Sequence, residues 1–251
     1  MGKYSGYQLC SDVDGTLVYD GKISDKNREA ISYFISEGGI FTVATGRPPF
    51  HLETMNFKCA FPTIAINGTL IYDEKARKTL WKSPMSEKAI KADLEAHSHA
   101  KNLDRIAVFF EDEMKIANSH KELREYFSCG REIFKTVACF GDEENALLFR
   151  KYVSDTYKDT VEIDRSWSTG VEIHGAKTGK SYSIKEYRKL FPEIHTSVAV
   201  GDYENDLLMI RDADIGYAVD NAIPEVKAVA KRTAPHCKDS AIAYVIEDIL
   251  R

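Results

Sequence analysis

Two aspartates stand close together near the start of the chain, directly after its first apolar segment. Asp12 and Asp14 are separated by one residue, and Gly15 follows them. In an extended backbone, side chains at i and i+2 project to the same side, so both carboxylates would leave the carboxyl end of a strand together. Two carboxylates this close repel each other unless a cation lies between them or one holds a proton. An ionised Asp12 could then attack phosphorus, while Asp14 could protonate a leaving oxygen and later activate water.

A second acidic segment follows another apolar run near the C-terminus. Asp202, Asn205 and Asp206 come directly after the segment from Ser197 to Val200. Taken alone, either acidic segment could be a turn or a helix N-cap. Four acidic groups that converged on one cleft would, however, destabilise a net-acidic protein unless a hard divalent cation neutralised them. Because all the ligands offered are oxygens, they favour Mg²⁺ over zinc or copper.

A third segment offers groups that could hold a phosphoryl oxygen. Thr45, Gly46 and Arg47 follow the apolar run Ile40–Ala44 and supply a hydroxyl, a backbone N–H and a guanidinium. This combination suits a phosphoryl clamp. Gly-Arg is also common in ordinary turns, so this segment gains meaning only beside the acidic pairs.

A lysine-containing segment late in the chain is similar to the phosphate-binding loop of nucleotide hydrolases. That loop needs four residues between its glycines, whereas only three separate Gly175 from Gly179. This spacing argues against a nucleoside triphosphatase. Lys180 nevertheless stands at the start of an amphipathic helix predicted over Ser181–Leu190, where its charge could neutralise a phosphoryl oxygen or restrain Asp12.

Composition and charge exclude several classes of protein. Lys and Arg number 34 against 39 Asp and Glu, a formal net charge of -5, and no basic stretch could follow a phosphate backbone, so nucleic acid is not expected as a partner. No apolar run approaches the ~20 residues that span a bilayer, so no membrane partner is expected either. The five cysteines contain no C-x-x-C pair, which argues against a disulfide framework or a zinc site and favours a cytoplasmic location.

The segments that must position these residues alternate between strand and helix at both ends of the chain. Continuous apolar runs suit parallel strands that are buried on both faces, so the sequence predicts an α/β fold with a Rossmann-like parallel-sheet core. The predicted strands are Tyr7–Cys10, Ile40–Ala44, Phe50–Phe57, Thr63–Ile66, Ser197–Val200 and Ile215–Val219, and the predicted helices are Ser24–Ser36, Asn205–Arg211 and Ala241–Ile249.

The middle of the chain reads as a mixed α+β block inserted in this core. We therefore predict a core of residues 1–82 and 179–251 and an inserted domain of residues 83–178. Trp167 is expected to pack in a core or hairpin of the insert rather than over a substrate. The predicted helices of the insert are Ser86–His99 and Glu143–Tyr157, and its predicted strands are Ile106–Phe110, Met114–Ala117, Thr136–Phe140, Val161–Asp164 and Gly170–His174.

In this order, the chemical segments resemble the motifs of the haloacid dehalogenase (HAD) superfamily, specifically its Cof-type sugar-phosphatase branch, in which a large α/β cap interrupts the core. The resemblance spans the whole chain. Lys177 is a rival of Lys180 for the third motif, but the residues that follow Lys180 match better. The matching segments are Asp12–Leu17, Thr45–Arg47, Lys180 and Gly201–Asp206, with shorter matches at Asn67–Gly68 and Val219–Ala222.

The resemblance implies a role for each matching residue. Asp12 would form an aspartyl-phosphate, and Asp14 would act as acid and base. Mg²⁺ would be held by the Asp12 carboxylate, the Asp14 backbone carbonyl and Asp202, while Asp206 would orient Asp202 or the metal's waters. The remaining groups would assist catalysis (Thr45 and Lys180) or bind the substrate (Gly46, Arg47, Asn67 and Asn205).

The leading hypothesis is therefore a Mg²⁺-dependent phosphatase that acts on a small phosphorylated metabolite, sugar phosphates foremost. The alternatives are a phosphohexomutase of the same superfamily and a non-catalytic protein that binds a phosphate ligand. The third hypothesis is disfavoured because every chemical position is occupied. A mutase needs clustered basic residues in the insert. The arginines of this insert are instead spread singly along it, at Arg105, Arg124, Arg131, Arg150 and Arg165.

Overall fold

The computed structural model describes residues 2–52 and 59–251. Within these ranges the strands are β1 (Tyr7–Ser11), β2 (Ile40–Val43), β3 (Thr63–Ala65), β4 (Leu70–Asp73), β5 (Lys78–Lys82), β6 (Leu103–Phe109), β7 (Met114–Ala117), β8 (Lys135–Phe140), β9 (Val161–Asp164), β10 (Gly170–Gly175), β11 (Thr196–Gly201), β12 (Ile215–Val219) and β13 (Arg232–Ala234). The α-helices are α1 (Asp25–Ser36), α2 (Pro49–Leu52), α3 (Glu87–His99), α4 (His120–Phe127), α5 (Glu143–Tyr157), α6 (Lys180–Leu190), α7 (Leu207–Asp212), α8 (Pro224–Val229) and α9 (Ala241–Asp248).

A central sheet of parallel strands joins the two ends of the chain, in the order β13-β12-β11-β1-β2. Strand β1 lies between β11 and β2, with Leu9 level with Val198 on one side and Phe41 on the other. These three side chains are fully buried, as expected for a parallel sheet with both faces covered. Helix α1 packs against α9, and α6 packs against α7. The prediction of an α/β fold with a parallel-sheet core is confirmed.

A second sheet, antiparallel throughout, is formed by the middle of the chain in the order β7-β6-β8-β10-β9. Its strands and helices α3 and α5 share an apolar cluster of their own, which includes Phe110, Phe140 and Phe149. This segregation agrees with the mixed α+β block expected from the sequence. The division into a core (residues 1–82 and 179–251) and an inserted domain (residues 83–178) remains our proposal.

A small antiparallel sheet, β3-β4-β5, lies beside the central sheet, with Ala44 bridging to Ile64 in parallel. Strands β4 and β5 are not among the strands predicted from the sequence. These strands are short, and β5 is only partly buried, so neither gives a long apolar run. The strand predicted over Thr63–Ile66 ends at Ala65, because the chain turns through positive φ at Ile66 and Asn67.

The strand predicted over Phe50–Phe57 is wrong at its start. Residues Pro49–Leu52 form a short helix, and proline at the first helical position is favourable because its missing N–H would have no helical partner there. The rest of that predicted strand, residues 53–57, lies outside the described residues.

Four helices begin at a residue whose side chain caps the helix N-terminus. The N-cap side chain accepts the backbone N–H three residues ahead in α1, α3, α4 and α5, and the capping residues are Ser24, Ser86, Ser119 and Asp142. Helices α4 and α8 and strand β13 are not among the elements predicted from the sequence. Each is short, and α4 has Leu123 as its single buried residue, so its periodicity is weak.

Candidate active site

Parallel pairing of β1 with β11 brings the two acidic segments together at one edge of the central sheet. The backbone N–H of Asp12 donates to the carbonyl of Val200 at 2.9 Å, which continues the sheet one residue beyond β1. The carboxylates of Asp12, Asp202 and Asp206 offer oxygens that all lie within 4.8 Å of one another. Asp12 and Asp206 are buried, and Asp202 is half-buried.

The turn after β1 depends on a glycine. Gly15 adopts φ +85°, and an added Cβ would lie 2.5 Å from the Asp202 Oδ2 atom, so only glycine permits this close approach. Thr16 Oγ1 then donates to Asp202 Oδ1 at 3.1 Å. The amide of Asn221 donates to the Gly15 carbonyl at 2.7 Å and also stabilises the turn.

Lys180 lies between two of the buried carboxylates. Its Nζ atom is 2.7 Å from Asp12 Oδ1 and 2.7 Å from Asp206 Oδ1. Burial alone would lower the pKa of Lys180, but the two carboxylates outweigh this and raise it, so the lysine stays charged. Gly179 starts α6 from φ +103° and delivers Lys180 as the first helical residue. Lys177, the rival from the sequence, is exposed.

Asp206 is oriented by backbone as well as by Lys180. Its Oδ2 accepts the backbone N–H of Asp202 at 3.0 Å and that of Tyr203 at 3.2 Å. Both carboxylate oxygens of Asp206 are therefore engaged, one by Lys180 and one by the loop that carries Asp202. This geometry supports the predicted orienting role, which remains a proposal.

The cluster holds more negative charge than one lysine can neutralise. Burial, followed by repulsion from Asp206, raises the pKa of Asp12 well above its ordinary value. The same two causes raise the pKa of Asp202 to about 7. A set of buried oxygen ligands with excess negative charge suits a hard divalent cation, so Asp12 and Asp202 fit the Mg²⁺ ligands that the sequence predicts.

Asp202→Asn is expected to stabilise the metal-free protein at about pH 8 and to remove its stabilisation by Mg²⁺. The folded protein binds the Asp202 proton more tightly than the unfolded chain, whose aspartates titrate near ~3.9. The protonated Asp202 makes its full contribution to the free energy of unfolding below about pH 4, and this contribution is lost as the pH rises through about 7. Asparagine removes the charge and keeps the shape.

Thermal unfolding at about pH 5 and about pH 8, with EDTA or with Mg²⁺, measures this effect. Asp155→Asn, at an exposed aspartate paired with Lys151, is the matched control. If Mg²⁺ raised the unfolding midpoint of Asp202→Asn as much as that of the wild type, Asp202 would not be a metal ligand.

Arg47 holds Asp14 in a bidentate ion pair at the solvent side of the site. The guanidinium Nε atom is 2.8 Å from Asp14 Oδ2, and Nη2 is 2.6 Å from Asp14 Oδ1. This hydrogen bonding raises the pKa of Arg47. The residue predicted to bind substrate thus contacts the residue predicted as acid and base.

The predicted phosphoryl clamp lies at the end of β2. Thr45 is buried, and its Oγ1 accepts the backbone N–H of Arg47 at 3.1 Å. The backbone N–H of Asn67 donates to the Thr45 carbonyl at 2.9 Å, which joins the two segments. Asn205, which belongs to the acidic segment after β11, also lies beside Asn67. Its amide nitrogen is 3.4 Å from Asn67 Oδ1.

These groups border a cavity of about 300 Å³ that lies between the central and second sheets. Trp167, expected to pack in a core or hairpin, lines this cavity and is 41% exposed. Seven of the residues predicted for the site line the cavity: Asp12, Asp14, Thr45, Gly46, Arg47, Asp202 and Asn205. Lys180 and Asp206 contact the site from behind its wall, through Asp12 and the Asp202 loop.

Sequence reasoning missed the wall that the second sheet contributes. Phe109, Lys135, Val137 and Glu172 line the cavity from β6, β8 and β10. A usable signal was present, because Lys135 and Glu172 each bring a Lys or Glu charge into a strand that is otherwise mostly apolar or small. A charge in a buried strand needs a partner or a function.

A contact between the sheets also escaped the sequence analysis. Arg165 donates to Glu204 Oε1 through Nη2 at 2.6 Å, and its carbonyl accepts the backbone N–H of Asn205 at 3.3 Å. Ser166 Oγ accepts the amide of Asn205 at 2.9 Å. The loop after β9 thus helps to position Asn205.

Comparison with known families shows which family the chain belongs to. The profile of the haloacid dehalogenase-like hydrolases matches residues 9–246. The chain belongs to the haloacid dehalogenase-like hydrolases. It is 27% identical to YkrA of Bacillus subtilis (strain 168), which is named provisionally as a phosphatase, over 95% of each chain. It is 26% identical to the 5-amino-6-(5-phospho-D-ribitylamino)uracil phosphatase YwtE of the same organism, over 96% of this chain and 97% of YwtE.

A solved structure agrees with the fold. The HAD subclass IIB sugar phosphatase BT4131 superposes with a TM-score of 0.78, at 22% identity, and covers 96% of this chain and 98% of its own. The predicted resemblance to the HAD superfamily is therefore confirmed, and the chain is a HAD-family phosphatase. In residues 2–52 and 59–251, no helix has both the length and the apolar character needed to cross a membrane.

Proposed function

We propose that this HAD-family phosphatase is a Mg²⁺-dependent phosphomonoester hydrolase that forms an aspartyl-phosphate on Asp12. Its substrates would be small phosphorylated metabolites, sugar phosphates foremost. The observation that carries this proposal is the position of Asp12, which borders the cavity while Lys180 holds one of its carboxylate oxygens from behind.

In the first step, a carboxylate oxygen of Asp12 attacks phosphorus and the bond from phosphorus to the leaving oxygen breaks. Lys180 fixes the orientation of the carboxylate and favours its ionised form. Asp12, Asp202 and the backbone carbonyl of Asp14 would hold Mg²⁺, which supplies positive charge for the phosphoryl oxygens when bound. Asp14 gives its proton to the leaving oxygen, and the alcohol departs.

In the second step, Asp14 takes a proton from water, and the water oxygen attacks the phosphorus of the aspartyl-phosphate. Inorganic phosphate leaves, and the Asp12 carboxylate is restored. Asp14 can exchange protons only when its bidentate contact with Arg47 loosens. We therefore expect the phosphoryl group to compete with Asp14 for the Arg47 guanidinium.

The phosphoryl oxygens would be held by donors from each side of the cavity. We assign this role to the Thr45 hydroxyl, the Gly46 N–H and Asn205, with Arg47 completing the binding site. Lys180 acts through Asp12, and the buried Asn67 supports Thr45 and Asn205 from behind the wall. Fixed donors of this kind stabilise the charge that develops in the transition state more than the charge of the substrate. They also let a net-acidic protein bind an anion.

Residues 83–178 would act as a cap that excludes bulk water and selects the leaving group. The second sheet presents Phe109 and Val137 to the cavity, and the loop between β9 and β10 adds Trp167. These apolar side chains stand beside the buried charges of Lys135 and Glu172 and help to exclude water. A volume of about 300 Å³ suits a small metabolite rather than a macromolecule. Two similar proteins are named for a phosphoribityl compound and for sugar phosphates, and such compounds are small enough for a cavity of this volume.

The mutase alternative is disfavoured by the arginines of the proposed cap. A mutase must bind a second phosphate at the far end of the cavity. Arg165 and Arg150 both contact Glu204, and Arg131 contacts Asp112 and Glu113. These three arginines are already paired with carboxylates.

Phosphate release from a panel of sugar, ribityl and pyridoxal phosphates, with Mg²⁺ or with EDTA, tests the proposal. Mg²⁺-dependent release is the expected result, and equal release in EDTA would contradict it. Glucose 1-phosphate, with and without a trace of the bisphosphate, separates the two reactions. Phosphate released without the activator supports hydrolysis, whereas bisphosphate-dependent formation of glucose 6-phosphate would show a mutase.

A further inference from the structure

A charged pair is buried in the second sheet, facing the core. Lys135 is 1% exposed and Glu172 is 2% exposed, and Lys135 Nζ is 3.4 Å from Glu172 Oε1. Burial lowers the pKa of Lys135, and Glu172 opposes that shift. Taking two charges out of water is costly, and an apolar pair of similar size would pack as well. Packing alone therefore does not explain the pair, and its function must come from the contacts that the two charged groups make.

Both members of the pair contact the proposed phosphoryl clamp. Lys135 Nζ donates to the carbonyl of Gly46 at 2.9 Å. Glu172 accepts a hydrogen bond from the amide of Asn67. The approach is close, since an added Cβ on Gly46 would lie 2.9 Å from Asn67 Oδ1 and 3.4 Å from Lys135 Nζ. A side chain at Gly46 would have to displace the Asn67 amide.

The peptide that Lys135 contacts leads directly to the Thr45 hydroxyl. The Gly46 carbonyl belongs to the peptide that joins Gly46 to Arg47, and the N–H of the same peptide donates to Thr45 Oγ1 at 3.1 Å. A cation on the carbonyl polarises the peptide and strengthens its N–H as a donor. Because Thr45 Oγ1 accepts this bond, its own proton is free to point toward a phosphoryl oxygen.

We propose that Lys135 is a positioning residue, supplied by the cap, that orients the Thr45 hydroxyl through the peptide between Gly46 and Arg47. Glu172 holds Lys135 in place and ties it to Asn67. This inference rests on the proposed function, because it concerns the clamp of that same reaction. Since the clamp acts on the phosphoryl group, the effect of Lys135 does not depend on the leaving group.

Steady-state kinetics of Lys135→Met with para-nitrophenyl phosphate and with glucose 6-phosphate tests the inference. We expect kcat to fall about 10- to 100-fold on both substrates and KM to change less than about threefold, because Lys135 acts through the peptide. Lys135→Arg should recover part of kcat, since a guanidinium can donate to the same carbonyl. Lys151→Met, at an exposed lysine of α5, is the matched control.

A second variant separates positioning from folding. Lys135→Met leaves Glu172 buried without its cation, whereas Lys135→Met/Glu172→Gln carries no buried charge at either position. We expect the double variant to regain the thermal midpoint but not kcat. Recovery of kcat together with the midpoint would reduce the pair to a structural role and overturn the inference.

The remaining outcomes are also decisive. Loss of activity with glucose 6-phosphate alone would make Lys135 a specificity residue and would contradict the relay to Thr45. Unchanged kcat in both variants, with an active wild type, would overturn this inference and leave the proposed function standing. A wild type that releases phosphate from neither these two substrates nor the wider panel would overturn the proposed function itself.

Discussion

Asp12→Asn is expected to fold normally and to lose turnover by at least about 10³-fold, because an amide cannot replace the attacking carboxylate. Asparagine keeps the shape of the side chain at the end of β1. It also removes one of the three carboxylates that crowd the site. Lys180 retains its ion pair with Asp206, 2.7 Å away, so the lysine is not left without a partner.

Phosphate release and circular dichroism on the same preparation check this expectation. Asp220→Asn, at an exposed aspartate that pairs with Lys227, is a control for the chemical change. Residual activity of Asp12→Asn within about tenfold of the wild type would exclude Asp12 as the nucleophile.

Lys180→Met is expected to lower the free energy of unfolding by about 3–5 kcal/mol and to abolish turnover, because it removes the cation from two buried carboxylates. Asp12 and Asp206 are 6% and 0% exposed, so water cannot take over the role of the lysine. Without Lys180 the pKa of Asp12, which burial already raises, rises further. The folded variant then binds protons more tightly than the unfolded chain, so its deficit shrinks as pH falls.

Denaturant unfolding at about pH 5 and about pH 8 measures this deficit. Lys185→Met, at an exposed position of the same helix, should change stability little. Combining Lys180→Met with Asp206→Asn should restore part of the stability by removing one unpaired carboxylate. A deficit that did not depend on pH would mean that packing of the lysine stem, rather than its charge, stabilises the fold.

The sequence predicts the central sheet well because its strands are continuous apolar runs. Strand β12 has the predicted bounds Ile215–Val219, and β1 extends the prediction by one residue to Ser11. Parallel pairing then places the ends of β1 and β11 side by side, so neighbouring acidic segments could be expected to meet there. Local chemistry and strand order thus suffice for this half of the site.

The other half of the site depends on contacts between distant parts of the chain. Lys135 and Glu172 meet because β8 pairs with β10 in a particular register, which places Glu172 opposite Val137. The contact of Arg165 with Glu204 spans 39 residues and joins two loops. No local pattern specifies such a register or such a loop contact. The sequence could mark Lys135 and Glu172 as unusual charges in buried strands, but not that they meet in the wall of the cavity.

Short elements also escaped the sequence analysis for a physical reason. The hairpin of β4 and β5 joins the small sheet through backbone hydrogen bonds while burying few side chains of β5. Helix α2 starts at Pro49, where an apolar segment gives no periodicity long enough to separate helix from strand.

The central claim is a phosphorylated Asp12, and mass spectrometry of the acid-quenched Asp14→Asn variant tests it most directly. Para-nitrophenyl phosphate is the substrate of choice because its leaving group, with a pKa of about 7, needs no proton from Asp14. Water attack on the intermediate does need Asp14, so the phosphorylated protein should accumulate. We predict one nitrophenolate released per enzyme and phosphate on the peptide that contains Asp12. Phosphate on any other residue, or a burst that leaves no phosphorylated protein, would contradict the account.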